Sequence, residues 1–289
     1  MNLTPVLLYS HAEEPVTRAL LSLCKSDEAF EIIEISLERL LGDAIIFDEI
    51  KDNQVKVQWS FDSGVSISNS ADCYLINRVI SVPEAIFRDF VDVDRAYAAS
   101  EFRAYLAFAI ESFPQCLAKP GPFGLSGNRY SLPKQWEIVK GANLGLCVPH
   151  YFLGDLSNVH VTSDLVCSSP YNYYYWKPIE STPPSASFAF KRPHGIPVIC
   201  CIVGEQINMF PYRKDDELCS SCLPKIREVS RMLADLFDYK IAEILLFSTG
   251  NSGLNFGMIS NIPYASERKS WFQAMIQTFF IKNILGQTT

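Results

Sequence analysis

The sequence predicts an α/β protein that becomes α+β in its C-terminal half, and three observations lead there. The chain opens with an apolar run, an amphipathic stretch and a second apolar run, the order of a parallel strand–helix–strand unit. Later apolar runs are joined by Gly- and Asn-containing turns, the pattern of antiparallel pairs. Between these regimes, residues 114–122 hold Pro114, Pro120, Gly121 and Pro122, the strongest break in the chain. The expected division is therefore an N-terminal α/β domain over 1–120 and a second domain over 121–289, with subdomains near 121–195 and 196–289.

Composition supports folded domains and narrows the partners. Of 289 residues 48% are hydrophobic and 12% aromatic, enough to bury one large or two modest cores. With 25 basic against 32 acidic residues the net charge is −7, which argues against nucleic acid, because phosphate binding wants a basic surface. Residues 5–9 are too short an apolar run for a signal peptide, and no stretch approaches the roughly 18 apolar residues of a membrane helix. The nine cysteines stand singly except for Cys200-Cys201 and Cys219-x-x-Cys222, which fits reduced thiols in a cytoplasmic protein.

In chain order, Val6-Leu7-Leu8-Tyr9 reads as a buried strand. Residues 15–24 read as a helix, with Glu13 and Glu14 placed favourably near its N-terminal dipole. Glu31-Ile32-Ile33-Glu34-Ile35 is the second strand, and the turn before the helix lacks the glycines of a dinucleotide fingerprint. Val55, Val57 and Trp59 alternate with polar residues, as do Val65 and Ile67 beyond Asp62-Ser63-Gly64, so this region is a hairpin. Residues 72–80 form another strand carrying Asn77-Arg78, and residues 96–113 a long helix.

In the second half, Trp136, Ile138, Val139 and Ala142 define a short helix that Asn143 or Gly145 can end. Tyr173-Tyr174-Tyr175-Trp176 reads as a strand closed by Lys177-Pro178. Residues 181–195 are too rich in proline and serine for regular structure. Residues 196–207 return as an apolar strand with a turn near Gly204-Glu205. Residues 220–237 are helical, with Ile226, Val229, Met232, Leu233 and Leu236 as the buried face. Residues 241–247 and 256–262 make a strand pair, and residues 271–285 an amphipathic helix.

This order of pieces resembles the ATP-grasp superfamily, in particular its RimK-like and peptide-modifying carboxylate–amine ligase branch. The resemblance rests on Asn128-Arg129 before a helix, on Gly145-Leu146-Cys147-Val148-Pro149 after it, and on the strand ending in Lys177-Pro178. It implies a pre-ATP-grasp-like first domain, then two subdomains clasping a cleft, with the segment after Glu180 as a loop over the phosphates. It further implies ATP and Mg²⁺ as cofactors and a peptide or small carboxylate and amine as partners. Lys177, Arg129 and Glu205 fall to nucleotide binding, Asn261 and Glu243 to the metal.

The match departs from the pattern at the metal. Members carry an acid on one strand and Glu-x-Asn on the next. Here Asn261 matches, Ile259 replaces the glutamate, and Glu243 lies within about a residue of the first acid, where a slip of one would turn it to the other sheet face. Ile196-Pro197-Val198 also replaces an expected basic residue. Three functions stay open: an ATP-dependent ligase working through an acyl phosphate, an inactive relative that binds nucleotide or peptide, and an interaction scaffold. Cys219-x-x-Cys222 has the spacing of a zinc half-site or a redox pair. The four histidines show no ligand spacing, and no G-x-S-x-G elbow occurs.

Overall fold

The computed structural model describes residues 3–26, 31–52, 54–155, 162, 164–173, 188–213, 216–250 and 253–284. It divides into two compact units, Met1–Asn128 together with Lys269–Thr289, and Arg129–Arg268. The change of unit thus follows Asn128, and the last helix groups with the first unit.

The first unit runs β1 (Thr4–Tyr9), α1 (Pro15–Ser26), β2 (Ile33–Ser36), α2 (Leu37–Asp43), β3 (Ala44–Lys51), β4 (Gln54–Phe61), β5 (Ser66–Ser68), β6 (Cys73–Arg78), α3 (Asp92–Glu111) and β7 (Gln115–Leu117). β2-β1-β6-β7 form an all-parallel sheet, as the opening strand–helix–strand pattern predicts, and β3-β4-β5 a separate antiparallel sheet. Trp59 on β4 is fully buried, and its indole N–H donates to the Tyr105 hydroxyl on α3 at 2.7 Å, which satisfies the one polar atom that burial would otherwise strand.

Where the parallel order reverses between β1 and β6, Glu14 and Arg78 form a buried ion pair. The Glu14 carboxylate accepts from the Thr17 N–H at 2.8 Å, the Thr17 hydroxyl at 2.9 Å, Arg78 Nε at 3.1 Å and Arg78 Nη2. Burial pushes this carboxyl up, but the guanidinium and the Thr17 donors outweigh it and hold it below its ordinary value. Glu14 was expected merely to favour the helix dipole. It instead anchors α1 to the end of β6.

The second unit runs α4 (Leu132–Gly141), β8 (Tyr151–Leu153), β9 (Leu165–Cys167), β10 (Phe188–Lys191), β11 (Ile196–Val203), β12 (Gln206–Pro211), α5 (Leu223–Leu236), β13 (Ile241–Ser248) and β14 (Leu254–Ser260). The chain then returns to the first unit as α6 (Ser270–Ile284), which packs on α1. β8-β10-β9 and β12-β11-β13-β14 are antiparallel sheets. α4 ends through Asn143 and Gly145, both with φ in the left-handed region (53° and 68°), as its sequence predicts.

Two expectations need correction. Residues 188–191, expected to be irregular, are β10, the central strand of its sheet, because Phe188, Ala189 and Phe190 supply an apolar run that is wholly buried. On α5 the buried face is Ile226, Val229, Ser230, Leu233 and Ala234, whereas Met232 and Leu236 are 42% and 39% exposed. Residues 232 and 236 continue each other at i, i+4, but they lie about 100° and 60° around the helix from 233, on the same side, and so fall on its rim. Among the described residues no helix is long and apolar enough to cross a membrane.

Candidate functional site

The second unit carries the described site candidates, and its core fixes them. α4 is tied along the outer strand β14 by two side chains. Gln135 Nε2 donates to the Ile259 carbonyl at 2.9 Å, its Oε1 accepts the Ile259 N–H at 2.8 Å, and Trp136 Nε1 donates to the Gly257 carbonyl at 2.7 Å. A sheet edge that would otherwise expose unpaired backbone is thereby satisfied by a helix. This role was missed in the sequence, which does not single out Gln135, although the residue is buried.

Arg129 opens the unit. Its guanidinium lies over the Tyr173 ring, 5.6 Å from the centroid, and the Tyr173 hydroxyl donates to the Tyr130 carbonyl. The Tyr130 ring meets Phe237 edge-on at 5.8 Å, and Phe237 packs on Tyr239 at 6.0 Å. Burial raises the pKa of the Tyr173 and Tyr239 phenols, with Arg129 opposing it in both. Arg129 is thus a cation held against an aromatic wall.

The acidic and amide candidates are placed differently. β13 pairs with β14 so that Glu243 stands opposite Ser260 and Ile244 opposite Ile259. Side chains alternate along a strand, so Glu243 and Ser260 share one face while Ile244 and Ile259 share the other. Glu243 is fully buried, and its carboxylate accepts from the Ala265 N–H at 3.1 Å, the Ser266 N–H at 2.6 Å and the Ser266 hydroxyl at 2.5 Å. Ile259 is 1% exposed within the apolar core. Asn261 follows the end of β14 and is largely buried, beside a turn in which Ser260 Oγ accepts the Ile262 N–H at 3.0 Å.

Glu205 sits exposed in the β11–β12 turn, where its carbonyl accepts from Arg231 at 3.4 Å. Cys201 is the partner of Glu243 and Val203 that of Ile241, so the turn lies beyond the end of the ladder that contains Glu243. Glu205 and Glu243 are therefore not brought together along the sheet. Lys177, with Tyr174, Tyr175 and Trp176, lies outside the described residues.

A divalent cation of the Mg²⁺ class needs several hard oxygen ligands in near-octahedral array. Among the described residues no three His, Cys, Asp or Glu side chains converge on one point. Glu243 directs its oxygens at three donors of the chain itself, and the position of the expected glutamate is an isoleucine in the core. These residues do not fit Mg²⁺.

No family model matches this chain, and no curated protein does. Solved structures do. The macrocyclase MdnC from Microcystis aeruginosa MRC, bound with precursor peptide MdnA, superposes with a TM-score of 0.69 at 11% identity over 96% of this chain and 99% of that one. A RiPP-associated ATP-grasp ligase from Chryseobacterium gregarium, in complex with ADP and a leader and core peptide, gives 0.62 at 12% identity over 98% and 97%. The ATP-grasp ligase PsnB, complexed with minimal precursor, Mg and ADP, gives 0.63 at 11% identity over 96% and 97%. At such identities the likeness is one of fold, and it spans nearly the whole of each chain.

Proposed function

We propose, from the premise that this chain has the ATP-grasp fold, that it binds a peptide and a nucleotide without the Mg²⁺-dependent ligation of a carboxylate to an amine. The observation that carries this reading is the state of Glu243, whose carboxylate caps the Ala265–Ser266 turn while Ile259 fills the core. An acyl phosphate forms only where triphosphate charge is neutralised, and the described residues offer Arg129 for that but no metal set. Peptide is the partner class because the ligases of like fold are solved with precursor peptides. Lys177, by the resemblance of its strand-end Lys-Pro, supplies a second cation for phosphate oxygens.

The test is calorimetric titration with ATP, with and without Mg²⁺, beside a phosphate-release assay containing candidate peptides. The wild type should bind ATP with little response to Mg²⁺ and release no phosphate above the blank. Lys177→Met should lower the affinity about ten- to a hundredfold, the worth of one charge-assisted contact of roughly 1.5–3 kcal/mol. Mg²⁺-dependent phosphate release stimulated by a peptide would overturn the reading; equal ATP affinity in wild type and Lys177→Met would remove only Lys177 from it.

A further inference from the structure

Cys219 and Cys222 play no part in the proposed function, and they differ sharply in setting. Cys219 is exposed just before the short 3-10 turn Ser220–Cys222 that leads into α5, whereas Cys222 is buried with only 5% exposure. The turn folds back through a Cys222 N–H to Cys219 carbonyl bond of 3.0 Å. A turn closed by such a bond holds the Cα atoms of residues i and i+3 within about 7 Å, a span that a disulfide can bridge. The Ser221 hydroxyl lies 2.9 Å from the Cys219 sulfur, and the Cys222 thiol donates to the Gly250 carbonyl at 3.2 Å.

Two thiols at the ends of one turn, one open to solvent and the other sheltered, have the arrangement of an attacking and a resolving cysteine. The Ser221 hydroxyl, with the Ser221 and Cys222 N–H groups, holds the Cys219 thiol below its ordinary pKa, which enlarges its thiolate fraction near neutral pH. Burial raises the pKa of Cys73, Cys116, Cys200 and Cys201 to about 12, so these four remain protonated and inert.

A groove of about 660 Å³ adjoins the pair, and Ser220, the residue after Cys219, belongs to its wall. Met209, Leu223 and Met232 give it an apolar floor. Arg227 and Arg231 bring cations to it, and Glu228 and Asp235 bring anions. Such a mixed lining suits a small zwitterionic molecule bearing both carboxylates and ammonium groups.

We propose that Cys219 and Cys222 are a redox-active dithiol that exchanges with a small zwitterionic peptide disulfide of the glutathione type seated in the groove beside α5. The Cys219 thiolate attacks one sulfur of R–S–S–R. The disulfide breaks, one R–S⁻ leaves and takes up a proton, and a Cys219–S–S–R mixed disulfide forms. Cys222 then gives its thiol proton to solvent and attacks the Cys219 sulfur, expelling the second R–S⁻, which is protonated in turn. The two protein thiols are oxidised by two electrons, R–S–S–R is reduced to two R–SH, and the Cys222–Gly250 hydrogen bond is lost with its proton.

The test incubates the full chain in graded ratios of reduced and oxidised glutathione, quenches with alkylating agent, and maps the products by mass spectrometry. The expected product is an intramolecular Cys219–Cys222 disulfide, with Cys222→Ser trapping glutathione on Cys219 instead. Cys147, the other exposed cysteine, serves as the internal comparator and should react several-fold more slowly than Cys219. Arg227→Ala with Arg231→Ala should slow oxidation by glutathione disulfide several-fold and leave oxidation by the uncharged hydroxyethyl disulfide unchanged. A wild type that accumulates glutathionylated Cys219 with no internal disulfide would overturn the dithiol, and this result needs no variant to fold. Equal slowing of both disulfides by the arginine variant would overturn the groove as the seat of the substrate.

Discussion

If Glu243 is a structural cap, replacing it with glutamine should destabilise the second unit and leave nucleotide binding insensitive to Mg²⁺. The carboxylate now takes the Ala265 N–H, the Ser266 N–H and the Ser266 hydroxyl among its partners in a fully buried site. In Glu243→Gln the amide keeps one oxygen for the Ser266 groups and turns an NH₂ toward the Ala265 N–H, so one buried donor pair is left facing itself at a cost of about 1–3 kcal/mol. The two retained bonds lose their charge assistance, about 1 kcal/mol each. The sum is roughly 3–5 kcal/mol, large against a typical domain stability of about 5–15 kcal/mol. Thermal melting followed by circular dichroism should show the transition shifted down by about 6–20 °C. Calorimetry with ATP and Mg²⁺ on the same protein supplies the second readout. An unshifted melt combined with the loss of a Mg²⁺ response present in the wild type would mean that the carboxylate ligates a cation, and the cap would be refuted.

Ile259→Glu, which restores the residue type expected from the resemblance, should cost about 3–5 kcal/mol because it leaves an unpaired charge in the apolar core, and should create no Mg²⁺ response; urea unfolding and the ATP titration check the two halves. In the first unit, Glu14→Gln or Arg78→Met should each cost about 3–5 kcal/mol, since both partners are 1% exposed and either change removes the opposite charge from a buried ion. The pH dependence has a definite sign. The Glu14 carboxyl is depressed in the folded state, so its contribution is present above the unfolded value near 4.3 and is lost as the pH falls through the lower folded value. The urea midpoint of the first unit should therefore drop on acidification below about pH 4.3 in the wild type, and less steeply in Glu14→Gln.

Much of the fold is legible because its apolar runs are buried. β1 and β13 are largely apolar runs, β4 alternates, and the parallel sheet follows from the order of the opening elements. What is not legible breaks the link between apolarity and burial. β3 carries Ile45, Phe47 and Ile50, yet these are 69%, 50% and 70% exposed, so no inward face marks the strand. β10 is a short apolar run inside a stretch whose serines and prolines dominate any window average. Gln135 is polar and buried, and only the β14 backbone beside it explains why. Of the site candidates, Arg129 could be placed from its position before α4. The orientation of Glu243 could not, because ladder register across a turn depends on a single residue that local composition does not fix.

That register bears directly on function. A cation shared between two neighbouring strands requires their ligands on the same face of the sheet. In this chain the acid on β13 and the position of the expected acid on β14 lie on opposite faces, Glu243 with Ser260 and Ile259 with Ile244. One substitution cannot bring them together, since a glutamate at 259 would point away from Glu243 and into the core. The face that Glu243 does occupy is closed by the Ala265–Ser266 turn, whose donors would lose their acceptor if a metal drew the carboxylate away. The departure from the ligase pattern is therefore distributed over a strand pairing, a turn and a packed core, each of which contributes to stability in its present form. A sheet built this way keeps Arg129 against its aromatic wall, while the Glu243 carboxylate is spent on the donors of the Ala265–Ser266 turn.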